Sequence, residues 1–382
     1  MKSGANKKYY FLILITVLST LTFAYGVLVG YRKYPPFELI QAGYMRFLKT
    51  EYYNEVGEEY QDIDPRDLIS ITNSDDVVKK RMDLIKFIWG EQQDGLPSLM
   101  PANIERNIID ERFSNLSNLD SIDRITVDME LGFNSIVYHF HHSSPDINRR
   151  LVIYHQGHEG DFIAGKDTIQ FFLNEGYSVA AFTMPGGGMN SNPVIYSKVF
   201  GNIKFSRHDD FKFMALSNGS PIKFFVHPIA EVLNYIEKEF DYKDISMIGI
   251  SGGGWTTVLY SAFDSRISKS YSVAGSLPIY LRDLSFEGGD YEQILPELYR
   301  TVNYLELYIL GSYGEGRGQL QVFNKYDSCC FAGVKYKAYE KEIKNIISDL
   351  GAGYFDVFLD DTHREHKISE AALKIIINDL KR

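Results

Sequence analysis

The stretch MIGISGGGWTT, residues 247–257, ends an apolar run on a serine set among glycines. Gly249-Ile250-Ser251-Gly252-Gly253 follows the pattern G-x-S-x-G. A serine becomes a nucleophile when a tight turn exposes its hydroxyl and a base removes its proton. Glycines beside it let neighbouring backbone approach that turn. A helix opening at Gly252 would also point its free N–H groups toward the serine. The same cluster fails as a phosphate loop: GISGGGWT has no P-loop lysine, and no G-x-G-x-x-G follows a strand. PGGGMN at 185–190 and GSYGEGRG at 311–318 fail the same tests and read as loops at strand ends.

A nucleophilic serine needs a base and an acid to orient it. Downstream of Ser251 stand two histidines, His363 and His366, in DDTHREHKIS. Upstream, HFHH at 139–142 raises the question of a metal site. On an alternating strand His139 and His141 share one face and His142 the other. No acidic cluster accompanies them in sequence, so a solvated hairpin is expected there. Cys329 and Cys330 are adjacent and lack zinc-site spacing. They are expected as two small apolar residues near a strand end, not as a disulfide framework. No metal and no organic cofactor is implied.

The chain that must position these groups has 382 residues, 45% hydrophobic and 24% charged, the balance of a globular protein with a substantial core. A net charge of −10 removes the attraction on which polyanion binding depends, so no nucleic-acid partner is expected. Tyr9 to Tyr31 carries no charge, and at helical rise it would reach about 34 Å, enough to cross a bilayer. Lys2, Lys7 and Lys8 before it, against Arg32 and Lys33 after it, favour a cytoplasmic N-terminus and an extracytoplasmic remainder. AYG at 24–26 supports the competing reading, a cleaved signal peptide and a secreted protein. The uninterrupted length favours a single-pass signal-anchor.

Three segments follow: a cytoplasmic tail and membrane anchor at 1–33, a mostly helical extension at 34–122, and a larger domain at 123–382. In the extension, Phe37, Ile40, Tyr44, Phe47 and Leu48 share one helical face. DDVVKKRMDLIKFIWG reads as a second helix with an Asp cap and Gly90 at its end. From about 123, two strands turn around Gly132 and Asn134. RLVIYHQG, YSVAAFTM, ISMIGIS, SKSYSVAG, LELYILG and YFDVFLD read as strands. DTIQFFLNEG, IAEVLNYIEKEF, GGWTTVLYSAF and SEAALKIIINDL read as the helices between and after them. Strands alternating with helices imply an α/β fold, a mostly parallel sheet covered on both faces, with ligands beyond the carboxyl ends of its strands.

In this order of elements and in the turn around Ser251, residues 123–382 resemble the α/β-hydrolase superfamily. The resemblance implies ester hydrolysis, and less often amide hydrolysis, through Ser, acid and His in that chain order. It places the base in the loop before the final helix, where H-K-I-S favours His366 over His363. For the acid it offers Asp327 in NKYDSCCFAG, in the manner of acetyl-esterase-like relatives. Glu315 is the alternate, nearer the end of LELYILG. The oxyanion hole would take the N–H groups of Gly252 and His158, with Gly249 and Gly253 shaping the elbow. His155 and His158 would orient their loop, because the family's base comes last. A serine esterase acting on a small ester or acylated molecule is the expectation. A small-substrate peptidase or amidase and a catalytically silent binding protein of the same fold are the alternatives. The acyl pocket is expected from loops 186–226 and 281–304, with aromatics such as Phe211, Phe213, Tyr280 and Tyr291.

Overall fold

The computed structural model describes residues 3–32, 36, 53–144, 149–284 and 288–382. The expected helix through Phe37, Ile40, Tyr44, Phe47 and Leu48 lies outside the described residues. The chain forms two compact units, Met1–Asn54 and Glu55–Arg382.

In the first unit, helix α1 covers Ser3–Arg32. Its stretch Tyr9–Gly30 has a mean hydropathy of 2.3, long and apolar enough to cross a membrane. The hydroxyls of Thr16, Thr20 and Thr22 donate to carbonyls one turn back, at 2.9–3.0 Å. These polar side chains are thus satisfied within the helix.

The second unit opens with α2, Ser74–Trp89. Its cap is Asn73 and not the expected aspartate: the Asn73 Oδ1 accepts from the amides of Asp75 and Asp76, at 2.8 and 3.1 Å. Val77, Leu84, Ile85 and Ile88 bury one face of this helix. The strands are β1 Asn103–Glu105, β2 Leu119–Asp128, β3 Asn134–His142, β4 Arg150–His155 and β5 Ser178–Phe182. A separate hairpin pairs β6 Val194–Ser197 with β7 Gly201–Lys204. The main sheet is completed by β8 Asp244–Ile250, β9 Lys269–Val273, β10 Gly318–Asn324 and β11 Tyr354–Asp360. Its nine strands run in the order β1-β2-β3-β5-β4-β8-β9-β10-β11. From β5 to β11 all neighbours are parallel, while β1, β2 and β3 form an antiparallel edge.

Helices α3 Lys166–Asn174, α4 Lys223–Glu239, α5 Gly252–Phe263, α6 Tyr304–Ser312, α7 Glu340–Leu350 and α8 Glu370–Leu380 cover the sheet. Two apolar clusters form, one on each face. α2, α4, α5, α6 and α7 enclose the first, α3 and α8 the second. Along β4, Leu151 and Ile153 point into one cluster, Val152 and Tyr154 into the other.

Three expectations are corrected. LELYILG is not a strand but most of α6. Asn303 and Glu306 close a capping box at its start, each side chain taking the other's amide at 3.1–3.2 Å. The helix is buried all round, so it shows no polar face to betray its period. The strand in that place is GQLQVFN, β10, whose buried Gln321 accepts a hydrogen bond from Tyr339 at 2.6 Å. Second, the hairpin end of β3 is not solvated throughout: His139 is fully buried. Third, Cys329 and Cys330 are not separate apolar side chains but are bonded to one another.

Candidate active site

Ser251 stands between the end of β8 and the start of α5 with φ +56° and ψ −126°. A non-glycine residue held there stores roughly 1–3 kcal/mol of strain. Close packing of the strand and helix holds the turn. A Cβ on Gly249 would strike the Gly253 carbonyl, and one on Gly253 would strike the His155 carbonyl. The Ser251 amide donates to Val273 at 2.9 Å, and its carbonyl receives the Trp255 amide at 3.0 Å. Gly252, the first residue of α5, carries an amide with no acceptor one turn back in the helix.

The shift of strand from LELYILG to β10 changes where the acids lie. Asp327 follows the carboxyl end of β10 by three residues, on the side of the sheet where Ser251 stands. Glu315 precedes β10, at the opposite end, and is exposed. Asp327 is 3% exposed and accepts from four donors. Its Oδ1 takes the amides of Cys329 and Cys330 at 2.7 and 3.1 Å, its Oδ2 takes Asn324 Nδ2 at 3.2 Å and His366 Nδ1 at 2.8 Å. Asn324 also donates to the Lys367 carbonyl at 3.0 Å, which ties the histidine loop to the strand end.

With its Nδ1–H on Asp327, His366 keeps a lone pair on Nε2, which is buried and has no hydrogen-bond partner among the described residues. Burial works against charge on this imidazole, but the hydrogen bond and the negative charge of Asp327 outweigh it and raise its pKa. His366 and Ser251 line one cavity of about 380 Å³, together with Tyr154, Gln156, Gly157 and Glu159. The cavity thus takes its walls from the β4 loop, and Phe211, expected in a pocket, is fully buried in the core. His363 stands beside a different acid, its Nε2 3.3 Å from Asp360 Oδ2.

Gly157 lies over the serine: a Cβ there would come 2.7 Å from the Ser251 Cβ. The ring of His158, the next residue, packs against Gly252. His155 is buried, with Nδ1 2.9 Å from the Gln156 carbonyl, inside the loop and away from the cavity lining. Two residues that sequence reasoning missed hold His158. Its Nε2 is 2.8 Å from Glu292 Oε1, and Glu292 Oε2 is 3.1 Å from His208 Nδ1. His208 Nε2 donates to the Pro185 carbonyl at 3.1 Å. Burial opposes ionisation of Glu292, yet His208 and His158 hold its carboxyl well below the usual range. Burial likewise opposes charge on His158, and Glu292, Asp290 and Glu159 raise its pKa nonetheless. Nothing in the stretch GDYEQIL marks Glu292 for this place, because its partners lie far away in sequence.

No family model and no curated protein matches the chain. Solved structures do. An acetyl xylan esterase from Thermoanaerobacterium sp. JW/SL YS485 is 13% identical with a TM-score of 0.56, over 83% of this chain and 98% of its own. An acetyl xylan esterase from Paenibacillus sp. R4 is 15% identical with a TM-score of 0.56, over 85% and 98%. A glucuronoyl esterase from Solibacter usitatus is 11% identical with a TM-score of 0.55, over 81% and 92%. At such identities the likeness is one of architecture, and with the sheet order and the serine turn it shows that this chain has the α/β-hydrolase fold.

Proposed function

We propose that the chain is a membrane-anchored serine hydrolase of small carboxylic esters, with Ser251 as nucleophile, His366 as base and Asp327 as the acid that orients it. The observation that carries this reading is the His366–Asp327 pair at 2.8 Å, its imidazole lining the cavity that Ser251 also lines. In the reaction Ser251 Oγ attacks the acyl carbon and its proton passes to His366 Nε2. Asp327 stabilises the imidazolium that forms. The amides of Gly252 and His158 receive the developing oxyanion. The alcohol leaves with the proton from His366, and a water activated by the same Nε2 releases the acyl group. Esterases of the same fold support an ester over an amide as substrate. The volume of about 380 Å³ suits a small molecule.

The same reading divides the chain into an anchor (1–33), a helical extension (34–122) and a catalytic domain (123–382). The apolar stretch Tyr9–Gly30, with more lysine before it than basic charge after it, supports a catalytic domain held outside the cytoplasm. The test is turnover of a short-chain aryl ester by the detergent-solubilised full-length protein and by Ser251→Ala. Loss on the order of 10⁴-fold or more with an unchanged circular dichroism spectrum supports the mechanism. Near-normal turnover in the variant contradicts it.

A further inference from the structure

The opposite end of the sheet holds a second group of side chains that the ester chemistry does not use. β3 runs antiparallel to β5, and the His142 amide donates to Ser178 Oγ, at the start of β5, at 3.1 Å. The His142 end of β3 therefore lies away from the carboxyl ends of the parallel strands, where Ser251 stands. His139 and His141 share one face of β3, and the register puts Asp123 of β2 directly across from His139. The acid that the local sequence lacks is thus supplied by the neighbouring strand. One nitrogen of each ring and one carboxylate oxygen of Asp123 lie within 4.8 Å of one another. Ligands on a tetrahedral ion with bonds of about 2.0–2.1 Å stand roughly 3.4 Å apart, so small side-chain rotations suffice.

His139 supplies the independent sign. Its ring is fully buried, Nε2 lies 3.0 Å from the Tyr242 hydroxyl, and Nδ1 has no hydrogen-bond partner among the described residues. A buried polar atom without a partner destabilises a fold unless something fills its place. With Nε2–H donating to Tyr242, Nδ1 bears a lone pair, and the phenol is the kind of outer group that orients a metal-bound histidine. Asp123 is also supported from outside, its Oδ1 taking the Asn107 amide at 3.0 Å, while its Oδ2 lies 2.9 Å from His141 Nε2. Both Asp123 and His141 line a cavity of about 440 Å³, which leaves room for a water or small ligand at a fourth position. The two arginines lining that cavity do not oppose a cation outright, since Arg106 is paired with Glu239 at 2.9 Å and Arg149 with Asp241.

We propose that Asp123, His139 and His141 form a binding site for one divalent ion of the zinc class at the end of the sheet opposite Ser251. Two imidazoles and one carboxylate suit zinc and its neighbours better than magnesium or calcium. The ion takes the place of the hydrogen now shared between His141 Nε2 and Asp123 Oδ2, so that proton is released or moves to Nδ1 of His141.

The experiment is calorimetric titration of chelator-stripped, full-length protein in detergent with zinc chloride. It is repeated on His141→Ala, Asp123→Asn and, as a control for the group around His158, Glu292→Gln. The expected result is one equivalent bound in the unaltered protein and in Glu292→Gln, with affinity at least tenfold weaker in the other two. Absence of stoichiometric binding, or loss of it in Glu292→Gln alone, overturns the site. Should His141→Ala and Asp123→Asn fail to fold, cobalt added to the unaltered protein decides. Intense visible bands of a low-coordinate cobalt ion support the site, and the faint spectrum of the hydrated ion overturns it.

Discussion

His366 is pulled by two opposed effects, and their balance sets a pH dependence. Burial favours the neutral ring, while Asp327 favours the charged one and prevails, so the pKa lies above the ordinary 6.5. Catalysis requires the neutral base. Activity, followed as kcat/KM, should therefore fall as pH drops through a midpoint above 6.5. Asp327→Asn removes the group that raises the pKa, so the surviving activity should titrate at lower pH. Its turnover should fall by on the order of 10⁴-fold, because the amide can hold the ring in the wrong tautomer. Glu315→Gln, at the far end of the sheet, should leave both quantities unchanged within error. An inverted ranking of the two variants at equal stability would give the acid's role to Glu315. In the proposed mechanism Glu292 acts through His158 and not on substrate. Glu292→Gln should reduce kcat by on the order of tenfold by loosening the loop above Ser251. KM and the acid midpoint set by His366 should hold. A variant with raised KM and normal kcat would make Glu292 a substrate-binding group instead.

At the scale of elements, what could be read from the sequence depended on which polar residues broke each pattern. β8, the serine turn and α5 are legible because an apolar strand, a glycine run and an apolar helix follow one another without interruption. α6 and β10 are not. The helix is apolar on every side, and the strand carries Gln319 and Gln321, whose side chains bond to Ser270 and Tyr339, partners invisible in a linear reading. That one exchange is why Glu315 stands nearer the expected strand end than Asp327 does. Asp327 follows the true strand end closely. The cluster of His158, Glu292 and His208 joins three segments far apart in sequence, and the pairing of Asp123 with His139 depends on register, so neither had a local signal. The turn itself yields a stability prediction. Gly249→Val forces a branched side chain into the Gly253 carbonyl and should cost about 3 kcal/mol, at the upper end for single substitutions. Urea denaturation checks this, and an unchanged midpoint would show that the elbow is looser than described.

For the whole molecule, the proposed anchor sets where the rest of the chain should be found. α1 presents apolar side chains outward along Tyr9–Gly30, and its threonine hydroxyls are bonded within the helix. A reporter fused after Arg382 should behave as extracytoplasmic, and the protein should stay with membranes through a carbonate wash. A cytoplasmic reporter signal reverses the orientation. Release into the medium with a new N-terminus near Val27 makes α1 a signal peptide.

The account rests most heavily on Ser251 being activated by His366. A fluorophosphonate probe should form one adduct, located on Ser251 by peptide mass spectrometry. The labelling rate should collapse in His366→Ala and persist in His363→Ala. An adduct at another residue, or normal labelling of His366→Ala beside an inert His363→Ala, would contradict the account.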